Sequence, residues 1–195
     1  VCSSAWTTTR TASAVSSTTT LAAIASGVTL YNVISSSATS ISTAGATFNG
    51  MVNALSVSTT NTFEYGTTVS YGSSINATPN TLSNSTNTSI SASVSGLSVN
   101  TQYHYRAKAA GSTTNNGADV AFYTLANTPS TPTVGNPTTS SLDVTINVNS
   151  NPSNTTFAIQ ETSTGNYVQA NGTLNSTQVF QTNATWGTVT VNSLT

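Results

Sequence analysis

Residues 94–111 read VSGLSVNTQYHYRAKAAG, and this stretch holds the only histidine of the chain and two of its three basic side chains. From Thr101 onward, large and charged residues alternate. In an extended chain successive side chains point to opposite faces, so Tyr103, Tyr105 and Ala107 share one face and His104, Arg106 and Lys108 the other. The pattern predicts a strand with a core face and a water face. His104 is expected outward as a bystander. Its charged neighbours along the sequence, Arg106 and Lys108, cannot orient it as a general base.

The same signal extends in both directions. From residue 39 on, short runs rich in Val, Ile, Thr, Tyr and Phe alternate at period two between clusters of Gly, Asn, Pro and Ser: ATFNGMVNAL, NTFEYGTTVSYG, TSISASVSGL, ADVAFYTL. No stretch sustains an apolar helical period with caps at both ends. Strands at spacings of about a dozen residues predict an all-β, antiparallel sandwich. The run also repeats. Phe63 of NTFEYG answers Phe157 of TTFAIQ, Tyr71 answers Tyr167, and Val94 and Leu97 of VSGL answer Val191 and Leu194 of VNSL. Landmarks in one order at nearly one offset predict two copies of one module. Between them lies LANTPSTPTVGNPTT, where Pro129, Pro132 and Pro137 remove backbone donors and predict an extended linker. The division is therefore an N-terminal arm over 1–38, a first module over 39–127 and a second over 128–195.

GLSVNTQYHYRAKA resembles the corner between the fifth and sixth strands of fibronectin type III domains of bacterial and archaeal extracellular surface proteins. ATFNGMVNA and FEYGTTVSYG resemble the second and third strands of that family, and NNGADVAFYT its last hairpin. The resemblance implies tandem fibronectin type III or Ig-like sandwiches, strongly over 39–125 and more weakly over 129–195. It implies that Tyr103 is a corner tyrosine, buried with its hydroxyl bonded back near Leu97, and that Leu194 marks the matching corner of the second copy. That copy stops just after its corner, so it is expected to lack its last two strands. Either the chain was cut short or another chain supplies them.

Composition excludes several functions. With three basic and four acidic side chains and a net charge of −1, nothing attracts a phosphate backbone or an anionic membrane surface, and no nucleic-acid partner is expected. The apolar run LAAIASGVTLYNVI (21–34) is too short for a membrane helix and is interrupted by Gly27. A single cysteine, Cys2, and a single histidine exclude a zinc site of several such ligands, and no cofactor is expected. Glu64, Asp119, Asp143 and Glu161 are scattered, so no two-carboxylate hydrolytic site is expected and the chain reads as non-enzymatic. LDV (142–144) reads as the apolar, polar, apolar alternation of a strand in SLDVTINVN rather than as a recognition tripeptide. Trp6, Trp186, Tyr31 and Tyr167 would stack on sugars only if exposed in a row. Seven Asn-x-Ser/Thr sequons, at Asn76, Asn84, Asn87, Asn154, Asn171, Asn175 and Asn183, are acceptor positions through which glycans enter as partners.

These readings predict an extracellular or cell-surface structural subunit of a filament, fibre or sheath, with identical subunits as partners. Leu21, Ile24, Val28, Leu30 and Ile34 form a strand-like arm without a sheet of its own, expected to pair with a neighbouring subunit by strand exchange. The alternative is a spacer or carbohydrate-binding accessory module of a secreted polysaccharide-degrading enzyme or adhesin.

Overall fold

The computed structural model describes residues 31–194. The chain is nearly all β, with antiparallel sheets. Eight strands come first: β1 (Asn32–Thr39), β2 (Gly45–Asn53), β3 (Thr59–Gly66), β4 (Ser73–Leu82), β5 (Thr88–Ser95), β6 (Gln102–Ala110), β7 (Thr114–Asn116) and β8 (Val120–Tyr123). They form one hydrogen-bonded path in the order β1-β2-β5-β4-β3-β6-β7, with β8 also on β6.

Period-two patterning builds this first unit. In β2, Ala46, Phe48 and Val52 are buried while Thr47, Asn49 and Met51 are half-exposed. In β6, Tyr103, Tyr105, Ala107 and Ala109 are buried while His104, Arg106 and Lys108 are half-exposed. Although β2 and β6 are not neighbours in the path, Phe48 stacks on Tyr105 with ring centroids 4.3 Å apart. The two limbs of the path therefore face each other across one core, where Phe63 and Phe122 complete the aromatic cluster. Aromatic pairs in such offset and edge arrangements add about 0.5–1.5 kcal/mol each beyond their burial. A side chain on Gly50 would meet the Ile34 carbonyl at 2.7 Å and Ala107 at 3.1 Å, so the bare glycine is what lets β1 close over this core.

Two expectations are corrected here. Residues 32–38, assigned by sequence to an arm, lie in β1, the edge strand of the first sheet, with Ile34 opposite Met51. Tyr31, just before it, is buried, and Val33 packs on the core. The edge of β2 supplies the ladder for these backbone groups; Leu21, Ile24, Val28 and Leu30 of the expected arm lie outside the described residues. Likewise, the proline-rich stretch is not only a linker. Residues 130–135 form a strand that contains Pro132, and its edge position explains the tolerance, because a missing N–H there breaks no central ladder.

That strand, β9 (Ser130–Gly135), opens the second unit. It is followed by β10 (Ser141–Asn147), β11 (Thr156–Phe157), β12 (Tyr167–Val168), β13 (Leu174–Asn175), β14 (Gln181–Thr182), the one-turn helix α1 (Asn183–Trp186) and β15 (Thr188–Asn192). A three-stranded sheet runs β15-β10-β9, and two short ladders pair β11 with β14 and β12 with β13. Its core gathers Val144, Phe157, Val168, Trp186, Val189 and Val191. The two units share matching details. The Leu97 N–H donates to the Ala44 carbonyl at 3.0 Å, and the Leu194 N–H donates to the Ser140 carbonyl at 3.0 Å. Val94 and Val191 are both buried, in β5 and β15.

Candidate functional site

Four of the charged side chains converge on the outer face of β3 and β6. Glu64 lies directly opposite Arg106 in the ladder. One of its oxygens accepts from Arg106 Nε at 2.9 Å, and the other from Lys108 Nζ at 2.6 Å. Partial burial works against its charge, but the hydrogen bonds from Lys108 and Arg106 outweigh this and hold the carboxyl below the usual glutamate range. Arg106 also covers the Tyr71 ring at 4.7 Å. The Tyr71 hydroxyl donates to Asp119 Oδ1 at 3.1 Å; burial first, and then the Asp119 carboxylate, push this phenol above its ordinary value.

His104 requires a correction. It is not an isolated bystander: its Nδ1 lies 2.7 Å from Asp119 Oδ2, and its side chain is 19% exposed. Asp119 is fifteen residues away in sequence, and only the pairing of β6 with β8, which sets His104 opposite Ala121, brings the two together. The signal that could have found it was the expected last hairpin itself, read in register. The resulting cluster compensates its own charges. Among the described residues no group of three or more His, Cys, Asp or Glu side chains could hold a metal ion. Asp143 instead accepts from the Thr190 hydroxyl at 2.6 Å and Asn136 at 2.8 Å, and these bonds hold its carboxyl below the usual range.

The remaining named residues fall as follows. Tyr103 is buried, and its hydroxyl accepts from the Ser98 N–H at 3.0 Å, one residue past the buried Leu97. Leu194 is half-buried against the second core. Trp186 and Tyr31 are buried and Tyr167 is half-buried, so they form no exposed row; Trp6 and Cys2 lie outside the described residues. The Trp186 indole donates to the Phe157 carbonyl at 2.8 Å. Of the LDV residues, Val144 is buried and Leu142 half-buried in β10. Asn76, Asn84, Asn87, Asn154, Asn171 and Asn175 are exposed, whereas Asn183 is half-buried in α1. No helix among the described residues is long and apolar enough to cross a membrane.

The feature with the clearest capacity for binding is in the second unit. An apolar groove of about 420 Å³ runs between β9, β10 and the Phe157–Gln160 segment, lined by Pro129, Pro132, Val144, Ile146, Phe157 and Ile159. It continues past Val144 and Ile159 into a second hollow of about 200 Å³ lined by Leu142, Val168, Val191 and Leu194. Among the described residues the backbone partners of the segment are on β14, where Gln181 is opposite Phe157, and at Val168, whose N–H donates to the Ile159 carbonyl. By contrast β3, whose Phe63 the sequence repeat sets against Phe157, is flanked on both edges, by β4 and by β6. Along the second edge of Thr155–Gln160, no strand is found among the described residues. Sequence reasoning expected the second copy to lack strands but named neither the groove nor its continuity from the Pro129 end to the Leu194 end.

No protein-family model and no curated protein matches the chain. Among solved structures, it is similar to the sensor domain of the anti-sigma factor RsgI4 of Pseudobacteroides cellulosolvens. A long form of that domain aligns at 18% identity and TM-score 0.37, covering 52% of this chain and 96% of that one. A short form aligns at 20% identity and TM-score 0.39, covering 52% and 100%.

Proposed function

We propose that the chain is a non-enzymatic structural subunit of an extracellular filament, fibre or sheath, built of two tandem fibronectin type III-like sandwiches. In this reading the second sandwich is completed by a strand from another subunit. The observation that carries it is the apolar groove beside the unpaired edge of Thr155–Gln160. An open edge next to exposed apolar surface is the template on which chains add strands, with main-chain hydrogen bonds giving affinity and side-chain pockets specificity. Charge supports the same reading. With so few ionic groups, and most of those paired on the β3–β6 face, like subunits approach without repulsion.

Electron microscopy and pelleting of the purified full chain test this. Long filaments of uniform width are expected. Ile146→Asp and Ile159→Asp, which put a carboxylate into the groove, should reduce pelletable protein about tenfold or more, because an ion taken from water into an apolar cleft must be desolvated. Val69→Asp, at an exposed position of the first unit, should leave it unchanged. A chain that remains monomeric at all concentrations overturns the proposal, as does unchanged assembly of both groove variants with retained β-sheet circular dichroism.

A further inference from the structure

Among the described residues, Tyr31 and the junction with the second unit lie at opposite ends of β6. At one pole the Ser112 N–H donates to the Tyr31 hydroxyl at 2.7 Å, and Asn115 Nδ2 donates to the Tyr31 carbonyl at 2.8 Å. These contacts tie residue 31 to the loop beyond the C-terminal end of β6. At the other end of β6 the second unit is joined: Asn100 Nδ2 donates to Thr155 Oγ1 at 2.8 Å, and Asn127 and Asn151 exchange hydrogen bonds. The nine residues of β6 between these poles span about 30 Å. Residues 21–30 reach at most about 35 Å when fully extended. To enter the groove of its own chain, this apolar segment would spend nearly its whole length retracing the first unit.

Resting on the filament reading, we infer that the occupant of the groove is the segment LAAIASGVTL, residues 21–30, of a neighbouring copy, and that it runs parallel to Thr155–Gln160. The direction follows from the poles. Residue 30 is followed by the anchored Tyr31, so the neighbour's first unit begins wherever the inserted segment emerges. Emerging at the Pro129 end would drive that unit into the acceptor's own first unit. Emerging at the Leu142 and Leu194 end leaves it clear, and the next subunit continues the line. Length agrees with this placement: Ile24 to Leu30 is seven residues, as is β10, which floors the groove. In a strand, Ile24, Val28 and Leu30 share a face with Ala22 and Ser26, so the larger even-numbered side chains enter the groove together. Leu21, also named as an arm residue, falls on the opposite face. The contact is heterologous and does not close on itself, so its repetition gives an open polymer.

Disulfide trapping in the full chain, in a Cys2→Ser background, tests both occupant and direction. Leu30→Cys with Leu142→Cys should give a ladder of covalent oligomers after mild oxidation of the filaments. Leu30→Cys with Pro129→Cys should give none. Independently, I24D/V28D/L30D should lower pelletable protein about tenfold or more, because its carboxylates face the groove. A ladder from the Pro129 pair overturns the direction, and a cross-link closed within one copy overturns the exchange. If the unmodified chain forms filaments but the triple variant does too, and the Leu142 pair gives no ladder, the occupant is wrong while the filament reading stands. Absence of filaments from the unmodified chain overturns both.

Discussion

Glu161 sits at the surface, yet its carboxyl is held down to about 2 by the Thr164 hydroxyl and the N–H groups of Ser163 and Thr164. The sign follows directly. The folded carboxyl releases its proton more readily than an ordinary glutamate at 4.5, so its stabilising effect is complete above that value and is lost as pH falls toward about 2. Carbon-detected NMR should find the Glu161 titration midpoint near 2, and Thr164→Val should move it toward the ordinary value. A midpoint already at the ordinary value in the unmodified chain would contradict the loop geometry. At this scale the sequence was readable where one strand sufficed: alternation alone placed Tyr103 and Tyr105 inside. It was not readable where partners come from distant segments. His104 and Asp119 meet only across a hairpin, and the Glu161 loop closes through Thr164, a residue without charge.

At the level of elements, the β3–β6 ladder holds Glu64 between Arg106 and Lys108. All three side chains are partly in water, so the net gain is modest, and removing the carboxylate leaves two like charges side by side on one strand face. Glu64→Gln should lower stability by about 1 kcal/mol, read as a lower urea midpoint with an unchanged slope. The loss should shrink in high salt, which screens both the lost attraction and the exposed repulsion. A variant as stable as the parent at low salt would show that the cluster contributes nothing net. Element boundaries were less legible than element types. Strand-like alternation is legible up to Ile34, but the sequence reading starts the first module at residue 39, so β1 reads as part of an arm and not as the edge of the first sheet. β9 hid behind Pro132, a residue that argues against a central strand but is tolerated at an edge. The sequence repeat set Phe157 against Phe63 of β3, but the strand at Phe157 is only two residues long, Thr156–Phe157, a length set by tertiary pairing with β14.

At the scale of the molecule the two cores differ in size: among the described residues the first buries seventeen hydrophobic side chains and the second six. The smaller core also lies beside the open groove, where water reaches Val144 and Phe157 from one side. Unassembled chains, obtained with the groove variants, should therefore unfold in two steps. Trp186, buried in the second core, should report the earlier step in a Trp6→Phe background. In filaments of the same background the Trp186 transition should move to higher urea, because any occupant that binds only the folded groove stabilises it by mass action. A single step at one midpoint, identical in both forms, would show that the second unit is already complete. Leu97 and Leu194, set against each other by the sequence repeat, each donate a backbone N–H to a carbonyl at 3.0 Å, of Ala44 and of Ser140. Where the open space lies was not written in the spacing, because a gap has no residues of its own.

The way β1 and β8 are laid in has a mechanical consequence. β1 starts beside the far end of β6, at Tyr31 and Ser112, while β8 ends opposite Gln102 at the near end. Both strands therefore run in the same sense. A pull applied at residue 31 and at the exit toward the second unit drags them lengthwise in opposite directions. The hydrogen bonds from β1 to β2 and from β8 to β6 lie across that pull. They are loaded together in shear rather than opened one after another, so under tension along its axis the first unit behaves as a clamp and not as a zipper.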